Sequence, residues 1–216
     1  MAQQKWKTDP VLHSCERDKD GHKVMDYEGL YVDEFLNADP LRDWESIDRC
    51  KDLWKWSMDK IPHLPHIRNV LDCGTKDGQF PEWLLKTDQL YESSLTEAVG
   101  IEISEPYINY AQEKERPVVY GNVCDLPEDW TGKFDFVFSH HLLGLTPDYY
   151  KALSEMYRVT SYYMVTLNDV PGNPKKHYSY IDSSDIYDRF IKEFKPEVIF
   201  NGFWKDNKEW VLLVRK

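Results

Sequence analysis

The sequence predicts an α/β fold: a doubly wound, mostly parallel sheet of seven strands with an antiparallel last strand, behind an N-terminal helical extension. Three observations predict it. A chain of 216 residues suffices for one such domain with a single core. From residue 67 onward, short apolar runs alternate with amphipathic stretches, and strands alternating with helices imply a parallel sheet covered on both faces. The last two runs are joined only by the link Asn201 to Lys208, which suits a hairpin and turns the final strand antiparallel.

Residues 1–66 read differently, rich in Trp and charge, and form the extension. Asp18-Lys19-Asp20-Gly21 marks a turn. It is no calcium loop, because the place for a bidentate Glu is held by Tyr27. Trp44, Ile47, Cys50, Trp54, Met58 and Ile61 recur at steps of three or four along one helix face. Pro62 and Pro65 end that helix, and His63 and His66, each just after one of these prolines, read as loop residues. With Trp56, Trp44 and Trp54 make this segment a candidate lid or substrate cap, or equally a layer packed outside the sheet.

Residues 67–216 supply the sheet. Asn69 to Cys73 is a first strand, and Gln79 to Lys86 a helix with Phe80, Trp83 and Leu84 inward. Ala98 to Ile103 is a second strand, after which Ser104 caps a helix carrying Pro106 in its first turn. Pro117 to Tyr120 and Phe134 to Phe138 follow as strands. A helix from Asp148 to Val159 turns Leu153, Met156 and Tyr157 inward. Tyr163 to Leu167 is the fifth strand, and Ser184 opens a helix with Ile186, Phe190, Ile191 and Phe194 on one face. Val198 to Phe200 and Trp210 to Val214 complete the sheet.

Composition narrows the function. Mean hydropathy of −0.65 and the lack of a long apolar run exclude a membrane span. The first ten residues hold no apolar signal-peptide core. Cys15, Cys50, Cys73 and Cys124 are scattered without paired spacing, as reduced thiols of a cytoplasmic protein are. The net charge of −11 disfavours nucleic acid as a partner, since no basic patch offsets it. Lys175-Lys176 is the densest basic pair near the site and reads as a solvated loop.

In such a sheet, ligands bind at the carboxyl ends of the strands, where the strand order reverses. The first strand runs into Gly74-Thr75-Lys76-Asp77-Gly78 before its helix begins. Gly74 lets the chain bend sharply and a ligand approach the backbone, and Gly78 permits close entry of the helix. Glu102 ends the second strand, where a carboxylate accepts both hydrogen bonds of a ribose diol. About 28 residues separate Gly74 from Glu102, against roughly 20 in a tight dinucleotide unit. The excess falls in an inserted loop, Thr87 to Glu97.

From about Val70 to its end, the chain resembles the Rossmann-like class I S-adenosylmethionine-dependent methyltransferases. Four blocks carry the resemblance in order. Leu71-Asp72-Cys73-Gly74-Thr75-Lys76-Asp77-Gly78 resembles the glycine-rich motif, and Val99 to Ser104 the ribose-binding strand end. Gly121-Asn122-Val123-Cys124-Asp125-Leu126-Pro127 resembles the adenine-contacting turn, and Phe134 to Leu143 the fourth-strand motif. Leu153 to Val159 resembles the helix that precedes the fifth strand. Two positions depart from the pattern: Lys76 stands at the middle glycine of the loop, and Asn122 at the adenine-contacting acid.

The resemblance implies S-adenosylmethionine as cofactor, held by Asp72, Gly74, Thr75, Gly78, Glu102, Ile103, Asn122, Val123 and Ser139. Asp125 is an alternative adenine contact. The candidate bases for the acceptor are His140 and His141 after the fourth strand, and Asp169 after the fifth; no metal is implied. A small-molecule substrate is the expected partner. No Asn-Pro-Pro-Tyr-like tetrad follows the fourth strand, which argues against methylation of DNA bases. A nicotinamide dehydrogenase would need a tight GxGxxG, which is missing here. The remaining alternative is a scaffold that kept the fold and lost turnover, for which Lys76 and Asn122 are the motive.

Overall fold

The computed structural model describes residues 47–61, 67–87, 95–146, 148–169, 183–205 and 209–216. Trp44, the Asp18–Gly21 turn, His63, His66 and Lys175-Lys176 lie outside them. Seven strands form one sheet: β1 (Asn69–Cys73), β2 (Glu97–Glu102), β3 (Val118–Tyr120), β4 (Phe134–His140), β5 (Thr160–Asp169), β6 (Glu197–Trp204) and β7 (Glu209–Arg215). Their order is β3-β2-β1-β4-β5-β7-β6. Pairs among β1 to β5 are parallel, and β7 runs antiparallel between β5 and β6. The expected doubly wound sheet with its reversed last strand is present.

Five α-helices are described: α1 (Ile47–Lys60), α2 (Gln79–Thr87), α3 (Glu105–Glu113), α4 (Tyr149–Val159) and α5 (Ser183–Phe194). Alternation along the strands sends residues to two cores. Leu71, Val137, Met164 and Leu212 face α4 and α5, where Leu153, Met156, Tyr187 and Phe190 are buried. Val70, Phe136, Phe138, Val165 and Leu213 face the other way, toward Phe80 of α2 and Leu53, Trp54 and Met58 of α1. Trp54 lies edge-on to Phe136 at 4.9 Å and to Phe80 at 6.1 Å. The described part of the extension is thus a helical layer over the sheet. No helix among the described residues is long and apolar enough to cross a membrane.

Strand ends depart from the sequence reading where polar residues continue the pairing. β4 runs on through Ser139 and His140, and β5 starts at Thr160 rather than Tyr163. Ser104 occupies the N-cap position of α3 without making a side-chain cap bond, and its hydroxyl is buried without a partner. Pro106 explains this in part, because it removes one of the two N–H groups that an N-cap oxygen normally accepts. Asp148, by contrast, caps α4 by accepting the Lys151 N–H at 2.8 Å. Cys50, Cys73 and Cys124 are free thiols.

Candidate functional site

The strand order reverses between β1 and β4, and sheets of this kind hold their ligands in a crevice at the carboxyl ends of the strands beside such a reversal. Four segments meet there because their strands are neighbours: the turn after β1, the end of β2, the turn after β3 and the exit of β4. Backbone hydrogen bonds lace them together. Ile101 O accepts the N–H groups of both Gly74 and Thr75, at 3.0 and 3.1 Å, and Glu102 O accepts that of Gly121 at 3.0 Å.

The turn after β1 is built on alternate left-handed residues, Gly74 at φ 74°, Lys76 at φ 56° and Gly78 at φ 75°. Lys76 therefore holds the backbone shape that a glycine would take there, at the steric cost a β-carbon carries in that region. Space excludes side chains at the flanking glycines. A Cβ on Gly74 would lie 2.7 Å from Leu142 Cδ1, and one on Gly78 2.3 Å from Val118 Cγ2. Arg116 fixes the far side of the turn through Asp77 Oδ2 at 2.6 Å and Glu82 Oε2 at 2.9 Å.

Glu102 closes the near side. Its Oε2 accepts the Lys76 N–H at 2.9 Å, and its Oε1 accepts those of Ile103 and Ser104 at 2.8 and 3.0 Å. Burial pushes this carboxyl up, while the three amides hold the rise in check. Asp72, 5% exposed, is pushed up to about 7 by burial and by the Glu102 charge, against a downward pull from Thr75. Thr75 packs over β2 at Gly100, where a Cβ would lie 2.3 Å from Thr75 Cγ2. Gly100 was not singled out by the sequence, though a glycine inside a strand signals such a close approach.

Across the crevice, Asn122 Oδ1 accepts the Cys124 N–H at 3.0 Å, making the turn after β3. The Val123 side chain is buried in the core with Leu153 and Met156 of α4. Ser139 is fully buried, and its hydroxyl has no partner.

His140 and His141 follow on β4. His141 is left-handed, at φ 53°, while its N–H still reaches Leu167 O at 2.8 Å. Neighbours on a strand normally point to opposite faces. Here the left-handed residue brings both rings to one side, stacked at 4.2 Å with 9° between their planes. His141 Nε2 lies 2.9 Å from Glu209 Oε1, and Arg49 of α1 reaches the same oxygen at 2.5 Å. Burial pulls the Glu209 carboxyl up, but His141 and Arg49 hold it below its ordinary value. Glu209 was missed in the sequence, although it stands in phase with the inward residues Val211 and Leu213 of β7. Asp169 ends β5 directly opposite Glu209 in the antiparallel register. Its neighbour Asn168 is fully engaged: it donates to Thr166 and Tyr187, both at 2.9 Å, and accepts the Leu143 N–H at 3.1 Å.

Residues 71–162 match the family model described as Methyltransferase domain. No curated protein sequence is significantly similar to the chain. Among solved structures, a SAM-dependent methyltransferase of Aquifex aeolicus is 16% identical, with a TM-score of 0.57 over 85% of this chain and 92% of that one. Magnesium protoporphyrin IX methyltransferase of Synechocystis PCC 6803, with bound SAH, is 14% identical, with a TM-score of 0.60 over 78% and 82%. The 4+2 cyclase SpnF is 13% identical, with a TM-score of 0.61 over 84% and 85%. At these identities the likeness is one of fold.

Proposed function

We infer that this chain, whose residues 71–162 match the family model described as Methyltransferase domain, uses S-adenosylmethionine to methylate an oxygen or nitrogen of a small molecule. One observation carries the reading: three alternate left-handed residues, 74, 76 and 78, leave β1 as a cradle that Glu102 ties to the end of β2. The residues present fit the cofactor. Lys76 keeps the backbone of the glycine it replaces, and the buried Ser139 hydroxyl, on β4 opposite Cys73 of β1, makes no hydrogen bond. Asp72, Gly74, Thr75 and Gly78 would hold the methionine end, Glu102 and Ile103 the ribose, and Asn122 and the Val123 backbone the adenine. A carboxylate offers about four lone-pair sites, so Glu102 with three amides retains one for a hydroxyl.

When bound, the cofactor supplies a methyl group on a sulfonium that is already a good leaving group. What remains for the protein is to hold the acceptor in line and to take its proton. His140 and His141 stand at the exit of β4 for that task, with Glu209 fixing the His141 ring through Nε2. With Nε2–H donated to Glu209, His141 Nδ1 carries the lone pair that receives a proton. The net charge of −11 favours a small acceptor over nucleic acid.

A second reading, a scaffold that binds the cofactor without turnover, draws on Asn122, whose side-chain carbonyl is committed to its own turn. Calorimetric titration with S-adenosylmethionine and S-adenosylhomocysteine tests the first step. Both are expected to bind at one site, and the absence of heat at about millimolar cofactor would remove both readings. Radiolabelled methyl transfer to a panel of phenols, carboxylates and amines then separates enzyme from scaffold.

A further inference from the structure

We propose that His140, His141 and Glu209 form a binding site for a divalent transition-metal ion of the zinc class. One ligand atom from each of the three lies within 4.8 Å of the others. Bonds of about 2.0–2.2 Å put the ligands of a tetrahedral ion roughly 3.5 Å apart, so side-chain rotation is enough to close the set. Two imidazoles and one carboxylate are the donor set of a borderline ion with an open fourth position.

Two costs concentrate here that an ion pair alone does not explain. His141 adopts a left-handed backbone, which costs a β-carbon residue on the order of 1 kcal/mol or more. That conformation is what stacks the two rings on the same side of β4. Glu209 is 1% exposed, and its Oε2 is buried without a hydrogen-bond partner. A buried carboxylate oxygen left unsatisfied marks a place for a missing cation. Arg49, whose side chain is 43% exposed, holds the other oxygen. It acts as a resident cation that a metal ion would displace or sit beside.

The position of the site gives the ion a role. Glu209 lies opposite Asp169 at the carboxyl edge, on β7, which pairs with β5, and its carboxylate meets His141 at the exit of β4. With three protein ligands, a fourth position remains for water or an acceptor oxygen. With the ion bound, His140 and His141 are its ligands and no longer the bases of the methyl-transfer reading. The acceptor would be a small molecule with an ionisable oxygen, such as a phenol, enol or carboxylate, whose pKa the ion lowers so that its proton leaves to solvent. This substrate class rests on the methyl-transfer reading; ion binding does not.

Co²⁺ titration of the chelator-stripped full chain, followed by visible absorption, tests the site. One equivalent of Co²⁺ is expected to give the d–d bands of a four-coordinate ion with nitrogen and oxygen ligands, which Zn²⁺ then abolishes. His140→Ala, His141→Ala and Glu209→Gln should each weaken Co²⁺ binding at least tenfold, whereas His63→Ala/His66→Ala should leave it unchanged. Arg49→Met should tighten it severalfold by removing the competing guanidinium, a gain that a purely structural ion pair would not give. Featureless spectra with the wild-type chain, or bands that persist in His141→Ala, would overturn the proposal. So would Arg49→Met binding no tighter, a result that does not depend on the histidine variants folding. S-adenosylhomocysteine calorimetry on the same samples keeps the readings apart: cofactor binding without cobalt bands sinks the metal site alone.

Discussion

The backbone N–H of Lys76 donates to Glu102 Oε2 at 2.9 Å, so the acid that ends β2 also holds the middle of the turn that leaves β1. Glu102→Ala therefore has two expected effects. Cofactor affinity falls by about 1–3 kcal/mol through the lost charge-assisted hydrogen bonds, and the turn loosens as three amides lose their acceptor. Calorimetry and amide hydrogen exchange over residues 74–78 read the two effects. Unchanged affinity would remove Glu102 from the site.

Gly74→Val is expected to abolish cofactor binding. Its Cβ would meet Leu142 Cδ1 at 2.7 Å, and a β-branched residue does not tolerate φ of 74°. Affinity retained within about threefold would contradict the cradle. Lys76→Gly should keep binding and raise unfolding stability by up to about 1 kcal/mol, since it relieves the left-handed β-carbon. Urea denaturation measures it.

Asp72 gives the protein a pH dependence. Its folded pKa, about 7, lies above the value of 3.8 for the free group, so the native state holds the proton more tightly than the unfolded chain does. Below pH 3.8 both states are protonated and Asp72 costs nothing. As pH rises toward 7 the unfolded chain ionises first, and stability is lost at about 1.4 kcal/mol per unit, a few kcal/mol at most. Asp72→Asn should gain on the wild type across this window, as measured by urea denaturation at pH 4, 5.5 and 7. A constant difference between the two proteins would refute it.

Gly100→Ala should destabilise the fold by about 1–3 kcal/mol through overpacking, because its Cβ would lie 2.3 Å from Thr75 Cγ2. Thr75→Gly in the same chain should recover part of that loss as a coupling energy. Strict additivity in the double-mutant cycle would place the strain elsewhere.

Asn168→Leu leaves the buried Leu143 N–H without its acceptor and takes from the Tyr187 hydroxyl one of its two partners, the other being Thr166. A loss of roughly 2–4 kcal/mol is expected in equilibrium unfolding. Burial holds the Tyr187 phenol up at about 12, so it stays neutral and the loss should not vary between pH 6 and 9.

Much of this architecture was legible in the sequence because its cause is local. Strands such as Asn69–Cys73 are short apolar runs bounded by polar turns, and the pattern marks both their ends. The Gly74–Gly78 turn was legible for the same reason, since left-handed residues announce themselves as glycines. Lys76 hid the third one, and only the backbone shows that the shape survives the substitution. β6 was read too short, as Val198 to Phe200, because this edge strand continues through the polar and small residues Asn201 and Gly202. Glu209 was illegible as a site residue. Its partner His141 stands 68 residues away, and no periodicity links the start of one strand to the end of another. The stacking of His140 on His141 escaped too, because a strand pattern assigns adjacent residues to opposite faces and nothing in the sequence foretells the left-handed turn between them.

The bond from Arg49 to Glu209 spans 160 residues and joins the first described helix to the last strand. Closing so long a loop carries a large entropic cost, so this corner of the molecule is expected to form late in folding, after the central strands have paired, as stopped-flow kinetics of Arg49→Ala would test. A chain stalled before β7 docks would then present the Gly74–Gly78 turn without the histidine–glutamate cluster at the end of β4.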